Sequence, residues 1–480
     1  MDMTRHYTKG AHQKGLAVLL TVVSLPFLLI MAGLAIDSGR AYSMQAKLFA
    51  AVDAAGIAAA RAVSSGETAA TAAAQKYFDV NISSALKSSN PVMSAPVFSE
   101  VDGNIAVNIS ATASMPTSFI SLLGFDSWGI GAKAQTIRRP VDVVLVVDNS
   151  SSLQGTGTVG GQDVTSSVIA RSKSFLSNFN TEFDRVAVVK YANGAEVPVP
   201  FNQSSRGYSS SAVNGAINNF SFKTGSNYHY TNTSEGFHKG LQQITSASDP
   251  APLQVIVFFT DGTPTAMTAE FDVEDNSGNT SAKVGAIYAS GTNSGNGYGL
   301  WNPNKISEQL TNAYYGKDIN DHLTMTDTDT NGSERGDIGL FKDSNNVTYR
   351  RALTPFSPGD SSNTLWRNIQ QASRTLPEQM AASARQQGIY VFTLGLGSAL
   401  QETSGLTVSH PDPSNSSTAK EKGEYLLYRM ANDPAMQNID WLATEYRPDE
   451  QQGVYCYAET EDDLGPCFDK MLDVIIRLTL

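Results

Sequence analysis

Between Lys14 and Asp37 lie 22 consecutive uncharged residues, GLAVLLTVVSLPFLLIMAGLAI. A helix of that length, rising about 1.5 Å per residue, spans about 33 Å, which matches a hydrocarbon core of about 30 Å. Pro26 is tolerable there, because membrane helices find other partners for the backbone groups a proline frees. Arg5, Lys9 and Lys14 precede the run, so the positive-inside rule keeps the short N-terminus in the cytoplasm and exports the chain beyond Asp37. A cleaved signal peptide is the alternative, with Gly33-Leu34-Ala35 as its small-residue site, although its apolar region would be only about 7–15 residues. The expectation is a cytoplasmic N-terminus over 1–15, a single-pass membrane helix over 16–36, and a main body that is periplasmic or at the cell surface.

That body is long. A chain of 480 residues suggests two or three domains, and a hydrophobic fraction of 41% argues against wholesale disorder. Two cysteines exclude a disulfide-built scaffold and a Cys-rich zinc module. A net charge of −12 argues against a nucleic-acid partner, since affinity for phosphates comes mostly from Lys and Arg.

Past the apolar run, SGRAYSMQAKLFAAVDAAGIAAARAV (38–63) continues as an Ala-rich helix. Tyr42, Ala46, Ala50, Ala54 and Ala58 recur at i, i+4, a stripe of small side chains suited to a partner helix or to a stalk lying on its own domain. Residues 67–87 read as a second helical stretch, ended by Asn90-Pro91. Alternating residues then flank Asp102-Gly103, a hairpin signal, so 37–138 is expected to form a helical stalk and a small β-layer.

After Arg138-Arg139-Pro140, strand and helix patterns alternate, as in a doubly wound α/β fold with a mostly parallel sheet over 139–480. VDVVLVV (141–147) is a continuous β-branched run, as in a strand buried on both faces. Of the 26 residues from Asp275 to Leu300, 17 are Asp, Asn, Gly, Ser or Thr, a composition of turns. Residues of about 266–362 are therefore expected to form a long irregular surface insertion.

The chemistry gathers at strand ends. Strand 141–147 runs into Asp148-Asn149-Ser150-Ser151-Ser152, and a later buried strand ends in Thr260-Asp261-Gly262-Thr263-Pro264. Between them, Tyr230-Thr231-Asn232-Thr233 opens a helix. Ligands of open α/β sheets bind at the carboxyl ends of strands. Carboxylates and hydroxyls suit a hard divalent cation, Mg²⁺, Mn²⁺ or Ca²⁺. The bland reading is that Ser and Asp here are helix caps and turn formers, but two strand ends agreeing favour the metal.

These residues resemble the von Willebrand factor type A domain and its metal-ion-dependent adhesion site, over roughly 139–480. The resemblance implies that Ser150, Ser152 and Thr231 ligate the metal directly and that Asp148 and Asp261 bind mostly through water. It also implies an open coordination position for an acidic side chain of a protein partner. That family usually has Gly-Gly or Gly-Ser before the threonine. Here His229-Tyr230 stands there, which leaves Thr233 as an alternative to Thr231.

The N-terminal helix, LAIDSGRAY (34–42) and the small β-layer resemble the TadE/TadG-like proteins of Tad (Flp) pilus assembly, as does the closing segment LGPCFDKMLDVIIRLTL. This implies a bacterial inner-membrane protein with pilus-machinery partners. Leu20, five residues after Gly15, stands where pilin-type processing needs Glu.

Weaker signals remain. Asp327-Thr328-Asp329 resembles the start of a calcium loop, but Ile338 occupies the twelfth position, so a solvated acidic turn is the simpler reading. Spacing leaves a Cys456–Cys467 disulfide open. His229 and His238 suit structural or exposed roles. No hydrolase elbow, zincin or phosphate-loop motif is present, and Gly395-Leu396-Gly397 lacks the full dinucleotide fingerprint. The expectation is a non-enzymatic, membrane-anchored pilus assembly or pilus-associated protein. A surface adhesin for a host or extracellular ligand is the first rival. A metal-dependent hydrolase is the second, and it would need a general base that the sequence does not display.

Overall fold

The computed structural model describes residues 14–154, 163–222, 230–274, 280–289, 297–310, 317–318, 323–324, 362–401, 421–439 and 442–479. Arg5, Lys9, His229 and the acidic turn from Asp327 to Ile338 lie outside them. The chain divides into two compact units, residues 1–138 and 139–479.

In the first unit, α1 (Lys14–Ala62) runs for 49 residues, with Pro26 inside it. It is long and apolar enough to cross a membrane, and from Val18 to Ile36 its residues are exposed except Gly33. Farther along, α1 packs on α2 (Glu67–Asn81), and α3 (Ser84–Lys87) comes after it. A sheet is next: β1 (Val92–Met93), β2 (Val97–Val101), β3 (Asn104–Pro116) and β4 (Ser127–Arg138). β3 pairs antiparallel with the other three. Asp102 and Gly103 join β2 to β3 with φ of 51° and 73°, the conformation a two-residue hairpin turn requires.

The buried face of α1 overlaps the expected stripe only toward its C-terminal end. Ala41, Leu48, Val52, Ala55 and Ala59 are buried; of the expected stripe Tyr42, Ala46 and Ala50 are exposed, Ala54 is half-buried and Ala58 is buried. Alanine is so frequent here that spacing alone fits several faces. Side-chain size does not select the face, since Phe49 and Ile57 stay 40% and 45% exposed; packing against α2, β3 and β4 does.

Asp37, which closes the uncharged run, is fully buried. Its carboxylate accepts the backbone N–H groups of Ser118 (3.0 Å), Phe119 (2.8 Å) and Ile120 (2.9 Å). These donors open the short 3₁₀ turn Ile120–Leu123, so Asp37 caps that turn from across the fold.

The second unit contains β5 (Val141–Asp148), α4 (Thr165–Leu176), β6 (Arg185–Tyr191), β7 (Ala195–Val199), α5 (Ser210–Asn218), α6 (Thr233–Thr245) and β8 (Leu253–Thr260). Its later elements are β9 (Ala266–Glu274), β10 (Thr280–Ala289), β11 (Gly297–Trp301), β12 (Lys317–Asp318), β13 (Leu323–Thr324), α7 (Ser362–Gln386), β14 (Tyr390–Leu396), α8 (Leu426–Ala431), β15 (Tyr455–Ala458) and α9 (Leu464–Thr479). The central sheet has the order β15-β14-β8-β5-β6-β7, parallel except for the antiparallel edge strand β7.

All eight residues of β5 are buried. Val144 and Val146 face a core with Phe237 and Ile244 of α6, Ile369 and Leu376 of α7 and Met430 of α8. Val143, Leu145 and Val147 face the opposite core, with Phe175 of α4, Ile217 of α5 and Met471 of α9. Helices thus cover both faces of a doubly wound α/β sheet, which explains the unbroken apolar run. The chain leaves β5 for β6 on one side and returns to β8 on the other. The order reverses at β5/β8, the kind of strand-end position at which open α/β sheets bind ligands.

The insertion is more regular than its composition implies. β9, β10 and β11 form an antiparallel meander, and Met267, Ile287 and Leu300 join the core beside α6 and α7. At Gly285 a Cβ would lie 2.7 Å from Leu300 Cδ2, so this glycine permits close packing where its residue type suggests a turn. Cys456 of β15 and Cys467 of α9 form a disulfide with a Cα–Cα distance of 5.5 Å.

Candidate metal centre

Asp148 is the last residue of β5, and Asp261 comes directly after β8, the neighbouring parallel strand. Both side chains are fully buried. Ser150 and Ser152, on the turn after β5, reach across the switch point. Ser152 Oγ donates to Asp261 Oδ1 at 2.8 Å and Ser150 Oγ to the same oxygen at 3.3 Å, while the two hydroxyls lie 2.9 Å apart. Two hydroxyls and a carboxylate, over a hundred residues apart in sequence, therefore meet at one point.

The two aspartates are used differently. Asp148 Oδ1 accepts the N–H of Ser150 at 2.7 Å, which fixes the turn. Its Oδ2 accepts the hydroxyls of Thr260 (2.6 Å) and Tyr191 (3.2 Å). Asp261 Oδ2, by contrast, is buried without a hydrogen-bond partner among the described residues. Burial raises the pKa of Asp148. Asp261 lies well above its ordinary value, first through burial and then through the Asp148 charge. Burial and the same charge keep the Tyr191 phenol neutral. An orphaned buried carboxylate oxygen among hydroxyls is a costly arrangement, and a cation would relieve it.

Thr231 is buried and bound to the segment after β8. Its N–H donates to Thr265 Oγ1 at 3.2 Å, and its carbonyl accepts the N–H of Thr265 at 3.0 Å. Its hydroxyl lies 3.7 Å from where a Cβ on Gly262 would stand, beside Asp261. Thr233 is instead the first residue of α6, with a buried hydroxyl that has no hydrogen-bond partner among the described residues. Asn232 caps that helix, accepting the Glu235 N–H at 3.2 Å and donating to the Asn193 carbonyl and Thr268 Oγ1, both at 2.8 Å. His238 is buried on α6.

Sequence reasoning missed Tyr191, Thr260 and Asn232. Tyr191 stands opposite Asp148 in the β5–β6 register, and Thr260 ends β8. Placing both at strand ends was the available signal; the register that aims them at Asp148 was not. The insertion also reaches the site: Tyr230 stacks on Tyr288 of β10 at 3.5 Å between ring centroids, and Tyr288 on Tyr298 of β11 at 5.3 Å. Among the described residues no three His, Cys, Asp or Glu side chains gather as a metal cluster. Any cation here would rest on hydroxyls plus two carboxylates, which fits a hard ion and disfavours a soft one.

Two family models match the chain. Residues 142–327 match the von Willebrand factor type A domain, and residues 15–62 match the putative Flp pilus-assembly TadE/G-like family. No curated protein matches. Among solved structures, a pilus adhesin from Lactobacillus rhamnosus GG is 15% identical, with 80% of this chain and 34% of that chain covered and a TM-score of 0.36. Proximal thread matrix protein 1 from the mussel byssus, with a zinc-occupied MIDAS motif, is 12% identical over 71% of this chain and 46% of that one, TM-score 0.33. The vWF domain of a type V pili tip protein from Porphyromonas gingivalis is 16% identical over 72% and 98%, TM-score 0.35. The chain thus spans about a third of the first of these proteins and about half of the second.

Proposed function

We propose that the chain is a membrane-anchored, pilus-associated protein whose type A domain holds a divalent cation and uses it to grip an acidic side chain of a protein partner. The observation that carries this reading is the convergence of Ser150, Ser152 and Asp261 at the β5/β8 switch point, with Asp261 Oδ2 buried and unpartnered among the described residues. Ser150, Ser152 and Thr231 would hold the ion directly, and Asp148 and Asp261 would bind it through water. When bound, the ion supplies positive charge and an open position for a carboxylate. Asp148 meanwhile fixes the Ser150 turn, and Tyr191 and Thr260 orient Asp148. The ion is Mg²⁺ in this reading, with Mn²⁺ or Ca²⁺ as substitutes.

The pilus role rests on the match of residues 15–62 to the TadE/G-like family together with the type A match. The anchor rests on α1, exposed and apolar from Val18 to Ile36. In this reading the N-terminus is cytoplasmic, the anchor sits in a bacterial inner membrane, and the body is exported and non-enzymatic. The Cys456–Cys467 disulfide suits an oxidising, exported location.

Calorimetric titration of the detergent-solubilised full chain with Mg²⁺ tests the site. Asp148→Ala with Ser150→Ala should abolish binding while circular dichroism stays unchanged. Thr231→Ala should weaken binding at least about tenfold, roughly 1.4 kcal/mol, and Thr233→Ala should leave it unaltered. Unchanged affinity in the double variant would refute the site, and the reverse ranking of the two threonines would move the third ligand to Thr233.

A further inference from the structure

The 3₁₀ turn between β3 and β4 carries an apolar cluster that stays largely exposed although one side of it rests on α1. Leu122 is 85% exposed, Phe125 65%, Leu123 51% and Phe119 44%, four large apolar side chains within seven residues. Soluble surfaces rarely gather such a patch without an occupant. The turn lies against the apolar part of α1. Leu29, Ile30 and Leu34 line one hollow with Phe119, Leu122 and Leu123. Phe119 sits so close to Gly33 that a Cβ there would lie 2.5 Å from Phe119 Cβ. Leu29 to Leu34 lie three to eight residues inside Asp37, so the turn stands roughly 5–12 Å below that charge along the helix.

The turn is tied to α1 at this level. Asp37 takes the N–H groups of Ser118, Phe119 and Ile120, and Arg40 also contacts the Ser118 hydroxyl. The remaining backbone is largely satisfied within the turn. Thr117 N–H donates to Asp126 O at 3.1 Å, Leu122 N–H to Phe119 O at 3.1 Å, Gly124 N–H to Ser121 O at 3.0 Å and Phe125 N–H to Ile120 O at 3.4 Å. Backbone entering an apolar phase must be paired in this way. Trp128, partly exposed at the start of β4, suits the headgroup level.

We propose that this turn, Phe119 to Phe125, dips into the membrane leaflet on the C-terminal side of α1 as a second lipid contact that fixes the first unit against the bilayer. The occupant is lipid because the patch is continuous with the exposed apolar surface of α1 from Val18 to Ile36. The inference rests on α1 crossing the bilayer, which the test reads separately.

The two native cysteines are bonded to each other, so a single added cysteine can carry an environment-sensitive fluorophore. The full chain is reconstituted alone in phosphatidylcholine–phosphatidylglycerol vesicles. A label at Leu122→Cys should be quenched by shallow nitroxide lipids roughly threefold or more above a label at Asp102→Cys. Asp102 sits at the far end of β3, roughly 40 Å away along a 13-residue strand. A label at Phe27→Cys reports the anchor. If Phe27 is quenched while Leu122 behaves like Asp102 and is open to aqueous iodide, the turn does not enter lipid and the proposal fails. If neither is quenched, the anchor reading fails and takes the proposal with it. Phe125→Cys repeats the measurement should Leu122→Cys misfold.

Discussion

The pair Asp148 and Asp261 sets the residue-scale behaviour. Burial raises both carboxyls above the ordinary value of 3.8. In the ion-free protein the folded state therefore holds protons that the unfolded chain has released, so stability falls as pH rises from about 3.8 through the raised folded values. A bound cation would take the place of those protons and remove the decline. Thermal midpoints from about pH 4 to about pH 8 should thus fall more steeply in chelator than in Mg²⁺. Asp261→Asn, which cannot titrate, should flatten the chelator curve. Parallel curves with and without Mg²⁺ would mean that the pair does not bind the ion.

At the scale of elements, the site depends on how closely α6 rides on the sheet. At Gly236 of α6 a Cβ would lie 2.5 Å from Tyr191 Cγ, inside the ring that orients Asp148. Gly236→Ala should cost about 1–3 kcal/mol through overpacking and also weaken Mg²⁺ binding. Gly215→Ala on α5 meets nothing within 4 Å and should instead stabilise by about 0.4–1 kcal/mol. Urea midpoints moving in the same direction for both would contradict the close approach of α6 to Tyr191. At the other end of the sheet, Arg185 forks onto Asp142 at 3.0 and 3.1 Å. That buried pair joins β5 to β6 and helps hold the register that puts Tyr191 opposite Asp148.

For the molecule as a whole, the pilus reading predicts a phenotype. A strain lacking the protein should lose its pili, and piliation should return with the intact gene but only weakly with Asp148→Ala plus Ser150→Ala. Electron microscopy of the three strains decides this. Normal piliation in the deletion strain would favour a surface adhesin, which protease shaving of intact cells would then degrade.

Local chemistry alone determined a good deal. An uncharged run of membrane length, an apolar β-branched strand ending in Asp148, and Asp102-Gly103 at a hairpin each carry their meaning in adjacent residues, because helix rise, strand burial and turn conformation are short-range properties. Three matters depended on distant contacts. Packing against α2, β3 and β4 set the buried face of α1 where alanines left it open, antiparallel pairing of β9, β10 and β11 made strand of a turn-like composition, and strand register aimed Tyr191 and Thr260 at Asp148. Each is a packing or pairing decision between separate segments, and residue type records what a side chain can do without recording which neighbour it will meet.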